Sequence, residues 1–149
     1  MSDAEAANAL IKGNDQATLS TWSVHEPGYP FGSVMPYVLD DHLNPVFLAS
    51  KLAEHTANFL ADSRASLMVA ESGHSDSLAL ARVTLVGNVE IVDDEVLRTR
   101  YLEQHPSANM YVDFDDFAFY KLSVTAIRYV GGFGKMSWVK PGMKPGVKS

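Results

Sequence analysis

The stretch that decides the fold is Gly28-Tyr29-Pro30-Phe31-Gly32-Ser33-Val34-Met35-Pro36-Tyr37, followed further on by Ser50-Lys51-Leu52-Ala53-Glu54-His55-Thr56. Glycine and proline fix the backbone at the entry to a β-strand in the first run. The second run passes from the end of a strand through small and polar residues into a helix. Together the two runs predict a cradle for a cofactor that carries a phosphate.

The second run has two interpretations. A helix N-terminus leaves backbone N–H groups without partners and carries partial positive charge, so it attracts anions. The polar residues around this N-terminus are Ser50, Lys51, His55 and Thr56. In the alternative, the helix is an ordinary surface helix that Ser50 caps, with Glu54 as its acidic first-turn residue and His55 in solvent. The residues alone leave both open.

Composition limits the class of protein. The chain has 149 residues, 46% of them hydrophobic, which is enough for one domain with its own core. A net charge of −6 argues against nucleic acids and anionic membranes as partners. The absence of cysteine excludes disulfides, thiol catalysis and Cys-ligated metals. No window reaches the ~18 apolar residues of a membrane span, so we expect a cytoplasmic protein.

Hydrophobic periodicity predicts a mainly β fold of the α+β class. Six or seven antiparallel strands with interspersed helices favour a closed or half-closed barrel. We expect strands at 16–24, 33–40, 45–50, 65–70, 78–92, 114–122 and 125–131, and helices at 4–12, 52–61 and 93–104. The strands at 33–40 and 45–50 should pair as a hairpin, 65–70 should be buried on both faces, and Gly87 should form a bulge. The predicted organisation is an N-terminal helix (1–13), a barrel (14–139) and a flexible tail (140–149).

Several segments, in order, resemble the pyridoxamine 5′-phosphate oxidase-like, FMN-binding split-barrel family. They are Gly32-Ser-Val-Met-Pro-Tyr37, Phe47-Leu-Ala-Ser50, the run from His55 to Leu67, and Thr84-Leu-Val-Gly-Asn-Val-Glu90. Pro27-Gly-Tyr-Pro-Phe-Gly-Ser33, Leu52-Ala-Glu-His-Thr56 and Tyr129-Val-Gly-Gly-Phe-Gly134 are similar to the haem-utilisation subgroup. The resemblance extends over roughly residues 10 to 139, and the agreement of separate segments makes it specific.

The resemblance implies a homodimer with FMN at the subunit interface. The strand that carries Ser33, Val34, Met35 and Tyr37 would run beside the flavin ring. The phosphate would lie among Ser50, Lys51, His55, Thr56 and Asn58. His55 falls where the family often has a lysine, so Lys51 and Arg82 would supply the positive charge. The partner's segment from Gly131 to Trp138 would reach the same cleft.

The sequence leaves three functions open. The first is an FMN-dependent oxidoreductase that acts on a small molecule. The second, implied by the haem-utilisation resemblance, is a haem-binding or haem-degrading protein that uses the same interface. The third is a barrel that binds its ligand without turnover. No arrangement of nucleophile, base and orienting acid appears, so no catalytic residue is predicted. The remaining histidines, His25, His42, His74 and His105, lack metal-site spacing and should lie on the surface.

Overall fold

The computed structural model describes residues 1–73 and 76–141. Most of the predicted tail at 140–149 and His74 lie outside these ranges. The helices are α1 (Asp3–Lys12), α2 (Glu54–Ala61) and α3 (Glu95–Gln104), with short 3-10 turns at Ser77–Ala79 and Pro106–Met110. The strands are β1 (Gln16–Trp22), β2 (Pro30–Pro36), β3 (Val38–Leu39), β4 (Pro45–Ser50), β5 (Arg64–Ala70), β6 (Arg82–Val92), β7 (Phe117–Val130) and β8 (Met136–Val139). None of the helices in these ranges combines the length and apolarity needed to cross a membrane.

The strands form one antiparallel sheet in the order β2-β1-β5-β6-β7-β4-β3, with β8 added on β7. The predicted antiparallel half-barrel with flanking helices is therefore confirmed. The predicted hairpin of 33–40 with 45–50 is wrong in its main part, because β2 pairs with β1 along its whole length and only the two residues of β3 pair with β4. β2 and β3, which only Tyr37 separates along the chain, thus lie at opposite ends of the strand order.

A bulge at Gly87 allows the two longest strands to bend together. The register of β6 against β7 shifts between Val86 and Gly87, as the sequence predicts. A Cβ atom at position 87 would lie 2.1 Å from the carbonyl oxygen of Ser123, so only glycine fits there. Because the ladder continues through the bulge, β7 is one strand of 14 residues and not the two predicted strands. Its first half pairs with β4 and its second half with β8.

The core fills the concave face of the sheet. Buried residues alternate along β1, β5 and β6, and α1 adds Ala7 and Ile11 to the same cluster. Phe59 of α2 contacts Phe47 and Tyr120 there, with ring centroids 5.9 and 4.8 Å away. A second cluster forms where α3 and the following turn cover the other face of β4. The prediction that 65–70 is buried on both faces is wrong, because its alternate residues face outward.

Candidate ligand-binding site

The sequence predicts a phosphate-binding site at the N-terminus of α2. The helix begins at Glu54, two residues later than predicted, and its N-cap residue Ala53 offers no side-chain hydrogen bond. Ser50 does not cap the helix: its hydroxyl donates to a carboxylate oxygen of Asp116 at 2.5 Å and accepts from the backbone N–H of Leu52 at 3.1 Å. Ser50 therefore stabilises the turn between β4 and α2, and its polar atom already has protein partners.

Three residues near this N-terminus retain unused polar groups. Thr56 is fully buried, and its hydroxyl has no hydrogen-bond partner among the described residues. His55 is half-buried with its ring stacked 6.3 Å from that of Phe59, and burial lowers the pKa of its imidazole. His55 is thus neutral at pH 7 and can donate one ring hydrogen bond without adding charge. The positive charge at this N-terminus comes from the exposed Lys51.

Asn58 has a structural role in the described chain. Its side chain is fully buried, accepts a hydrogen bond from the backbone N–H of Val24 at 2.9 Å and donates one to the hydroxyl of Thr21 at 3.1 Å. These bonds fasten α2 to the end of β1 and to the β1–β2 loop, residues 23–29. The amide predicted to hold a phosphate therefore positions a loop.

The predicted residues of β2 and its exit divide between the two faces of the sheet. Val34 points outward and is 65% exposed. Ser33 faces inward, and its buried hydroxyl has no partner among the described residues. Met35 and Tyr37 lie in the core, where the Tyr37 hydroxyl donates to the carbonyl oxygen of Ile11 at 2.6 Å. Burial raises the pKa of Tyr37, so this phenol stays protonated. Its side chain is part of the core and offers no surface to a flavin ring.

Arg82 does not join the other predicted residues within one chain. It pairs with Val130 at the C-terminal end of β7, whereas Ser50 pairs with Phe117 at the N-terminal end. Thirteen steps along a strand correspond to roughly 40 Å. The Arg82 guanidinium instead donates to the carbonyl oxygen of Leu80 at 3.1 Å. Lys51 and Arg82 therefore lie near opposite ends of β7 within one chain, and their joint contribution to a phosphate site at a dimer interface stays a prediction.

The structure reveals a groove that the sequence does not predict. Two depressions of about 250 and 360 Å³ adjoin at Trp22 and Arg64, which line both, and we name them together the Trp22–Arg64 groove. The first is also lined by Ser20, Thr21, Pro30, Ala65, Ser66 and Val86, and the second by Ser23, Val24, Pro27, Gly28, Ala61 and Asp62. The sequence held one indication of this groove. Trp22 is the last residue of β1, and Arg64 is the first residue of β5.

Charge and apolar surface meet in this groove. The Arg64 guanidinium lies 5.9 Å from the centre of the Trp22 ring. It also forms a two-point ion pair with Asp62, with N–O distances of 3.0 and 2.6 Å. That pair lowers the pKa of Asp62 to about 2, mainly through the side-chain hydrogen bond from Arg64. Arg64 is therefore held in place and keeps further N–H donors for a second anion.

The outer face of β1, β2, β5 and β6 carries three exposed apolar side chains among small hydroxyl residues. Val34, Met68 and Val86 point outward among small residues such as Thr18 and Ser66. The helices pack elsewhere, with α1 and α2 on the inner cluster and α3 on β4. These three side chains stay 37% to 65% exposed in the described chain, and exposed apolar residues grouped on one sheet face mark a candidate surface for a ligand or another chain.

Comparison with known proteins places this architecture in a family. The family model described as CREG, beta-barrel matches residues 1–144. The chain belongs to the CREG β-barrel family. The CREG match includes β1 to β8, and so both the α2 N-terminus and the Trp22–Arg64 groove.

Two relatives share more than 30% identity with this CREG-family chain. One is the non-canonical heme oxygenase HOZ, chloroplastic, of Arabidopsis thaliana, 36% identical over 135 residues that make up 89% of this chain and 41% of the relative. The other is a solved structure of a heme-binding protein from Mycobacterium smegmatis, 35% identical with a TM-score of 0.86, which covers 94% of this chain and 58% of that one. The chain therefore spans about half the length of these relatives.

A more distant structure supports the fold alone. A Clostridium acetobutylicum protein related to general stress protein 26, described as of the pyridoxinephosphate oxidase family, is 15% identical with a TM-score of 0.70 over 94% of this chain and 96% of its own. This likeness agrees with the split-barrel fold that the sequence predicts.

Proposed function

We propose that this protein binds haem in the Trp22–Arg64 groove and serves haem utilisation. The observation that carries the proposal is that an apolar groove with a fixed arginine lies in a chain more than 30% identical to a protein named heme-binding and to one named a heme oxygenase. This favours the haem alternative over the FMN-dependent oxidoreductase as the main function.

The residues of the groove fit the chemistry of haem. A haem has a flat apolar ring and two carboxylates. Trp22, Val24, Pro27 and Val86 offer apolar contacts for the ring. Arg64 offers guanidinium N–H groups to a propionate, which would share the cation with Asp62. When bound, haem supplies redox chemistry at its iron, while these side chains orient the ring and exclude water.

A second copy of this chain is the proposed cover for the outer face. Met68 and Val86 stand on neighbouring strands and remain 39% and 37% exposed, although each is an apolar side chain of a β-strand. Burying such surface stabilises an association by about 25 cal/mol per Å² before the cost of lost motion is counted. Val86 also lines the Trp22–Arg64 groove, so a homodimer on this face would form part of the groove wall.

FMN binding remains the second candidate because of two buried hydroxyls. Ser33 and Thr56 stand on β2 and α2, which contact each other, and each hydroxyl lacks a partner among the described residues. A buried polar group without a hydrogen bond costs about 1–3 kcal/mol, which a bound phosphate would recover. Lys51 would add charge at the same helix N-terminus. The function would then be that of an oxidoreductase acting on a small molecule.

Titration with ferric haem and, separately, with FMN distinguishes the two. We expect a Soret band that saturates at one haem per chain. Arg64→Ala should weaken haem binding by about tenfold, the value of one charge-assisted hydrogen bond of ~1.5 kcal/mol. Arg98→Ala is the matched control, because Arg98 forms a similar ion pair with Asp113 at 2.8 Å on α3. Absence of haem binding by the unmodified protein would overturn the proposal.

The same titrations test the FMN candidate. If FMN binds at the α2 N-terminus, replacing Thr56 by Val should lower its affinity and leave haem affinity unchanged. Thr99→Val is the matched control, because it removes the same hydroxyl from an exposed position of a different helix, α3. FMN binding with no Soret band on haem addition would make the second candidate the function.

A further inference from the structure

We propose that Asn58 is the residue that positions Trp22 for ligand binding in the Trp22–Arg64 groove. This inference rests on the haem-binding function proposed above and adds to it a residue that acts from behind the site. Asn58 belongs to α2 and is fully buried, so its effect on a ligand in the groove has to pass through other residues. Those residues are the neighbours of Trp22 in the chain.

The side-chain amide of Asn58 holds the chain just before and just after Trp22. Its Nδ2 donates to the hydroxyl of Thr21 at 3.1 Å, and Thr21 directly precedes Trp22. Its Oδ1 accepts from the backbone N–H of Val24 at 2.9 Å, two residues after Trp22. Thr21 lines the first depression of the groove and Val24 lines the second. One buried amide therefore fixes a lining residue of each depression.

The sheet alone supports Trp22 on one side only. Trp22 pairs with Pro30 of β2, but the pairing of β1 with β5 ends one residue earlier, at Thr21. The Trp22 side chain is 42% exposed, and its ring contacts the guanidinium of Arg64. The bonds from Asn58 thus attach the main chain around Trp22 to α2, where the ladder with β5 has already stopped.

The backbone of Asn58 also leads to the other wall of the groove. Its carbonyl oxygen accepts from the N–H of Asp62 at 3.0 Å, at the end of α2. The carboxylate of Asp62 forms the two-point ion pair with Arg64. The Trp22 wall depends on the side chain of Asn58, and the Arg64 wall depends on its backbone. Buried hydrogen bonds of this kind keep binding groups in their productive geometry.

Haem titration of Asn58→Ala tests the assignment. This variant loses both side-chain bonds and keeps the backbone bond to Asp62, so it should loosen Trp22 and leave Arg64 in place. We expect haem affinity to fall by about tenfold, because binding would then have to order Trp22 and the loop that follows it. The Soret titration is carried out at a temperature where circular dichroism shows the variant to be folded.

Asn44→Ala is the matched control. The amide of Asn44 also accepts a backbone N–H bond from a distant part of the chain, that of Val124 at 3.0 Å, on the other side of the sheet order from β1. This control should keep the haem affinity of the unmodified protein. Unchanged haem affinity in folded Asn58→Ala would overturn the proposal.

A double variant separates the positioning of Trp22 from a general loss of structure. Trp22→Ala should itself weaken haem binding by about tenfold. Because Asn58 acts through Trp22 and its neighbours, adding Asn58→Ala to Trp22→Ala should cause no more than about a threefold further loss. A further tenfold loss would show that the two residues act independently, which contradicts the proposal.

Thr21→Val is a milder variant that keeps the proposal testable if Asn58→Ala does not fold. It removes one of the two hydrogen bonds and preserves the shape of the side chain. We expect haem affinity to fall by about threefold, since the bond to Val24 remains. Unchanged haem affinity in Thr21→Val would overturn the proposal without any need for the Asn58 variant.

The fluorescence of Trp22 separates this inference from the function on which it rests. In haem-free protein that carries Trp138→Phe, Trp22 is the only tryptophan of the chain. Adding Asn58→Ala should shift its emission to longer wavelength and raise its quenching by acrylamide. Unchanged emission and quenching would show that Asn58 does not position Trp22. If the unmodified protein binds no haem, the proposed function fails, whereas this measurement still decides the role of Asn58.

Discussion

The two faces of β5 show how one alternating strand serves two purposes. Leu67 points inward and is fully buried, whereas the next residue, Met68, points outward and is 39% exposed. Folding of the chain uses the inner apolar face completely. The outer face carries Val34, Met68 and Val86 among threonine and serine side chains, and the described chain leaves these three exposed. The stability of one chain accounts for the inner positions, whereas the outer apolar residues add little to it and are available to the ligand and the second copy proposed above.

The largest effect is expected when substitutions of Leu67 and Met68 are compared. Leu67→Ala should lower the free energy of unfolding by about 2–5 kcal/mol, because it removes buried methyl groups and leaves a cavity. Met68→Ala should change it by less than about 1 kcal/mol when the chain is studied at a concentration where it is monomeric. Urea unfolding followed by circular dichroism measures both. Equal losses would show that the two faces contribute alike to the fold.

A charge on the outer face tests the proposed dimer. Met68→Lys should raise the dissociation constant of the dimer by about 100-fold, or ~2.7 kcal/mol, because the partner would have to bury an unpaired ammonium. Light scattering over a range of protein concentrations measures the mass. Thr99→Lys, on the exposed surface of α3, is the control for added charge. A mass unaffected by Met68→Lys would remove the outer face from consideration as the interface.

A polar group on the inner face gives a smaller effect. Tyr37→Phe should cost about 1–2 kcal/mol of unfolding free energy, since the carbonyl oxygen of Ile11 would lose its buried donor. Tyr29→Phe, whose ring is 68% exposed, should change stability by no more than about 0.5 kcal/mol. Thermal unfolding of the two variants beside the unmodified protein provides the measurement. A Tyr37→Phe variant as stable as Tyr29→Phe would mean that water replaces the phenol at no cost.

The smallest predicted effect is a pH dependence that comes from His55. Burial lowers the pKa of His55 in the folded protein from its ordinary 6.5, so the unfolded chain binds a proton more readily. Its contribution to stability is therefore present above pH 6.5 and is lost as the pH falls through the folded value. Urea unfolding between pH 7 and pH 5 should show a shallower loss for His55→Gln than for the unmodified protein. His42→Gln should keep the original slope, and a parallel slope for His55→Gln would contradict the prediction.

The sequence predicted the inner face better than the outer one. Alternation placed Ala17, Leu19 and Thr21 on one side of β1, and the bulge at Gly87 followed from a glycine in a long β-rich run. These features depend on local periodicity and on backbone sterics. The sequence did not predict β8, because this strand has only four residues and follows a glycine-rich turn. It forms by pairing with the second half of β7. The pairing of β2 with β1 was missed because the turn at Asp40-Asn44 favoured a longer hairpin.

The candidate site was harder to predict than the fold. Residue types around α2 suggested phosphate contacts, but Ser50 and Asn58 form hydrogen bonds within the chain, and Met35 and Tyr37 contribute their side chains to the core. A sequence cannot show which polar group has already found a partner. Nor could it show that Arg82 lies at the far end of β7, or that Trp22 and Arg64 meet across two strands.

Helix α1 packs on the inner cluster of the sheet, and this affects how the protein can be handled. Ala7 and Ile11 are embedded in the interior, Tyr37 holds the last turn of the helix, and Asp3 accepts a hydrogen bond from Ser137 at 2.6 Å. The amides beside its buried residues should therefore exchange with deuterium more slowly than those of its first turn. A shortened chain beginning at residue 14 should expose part of the inner cluster to solvent and be less soluble, whereas a purification tag placed ahead of Met1 should leave α1 packed in its position.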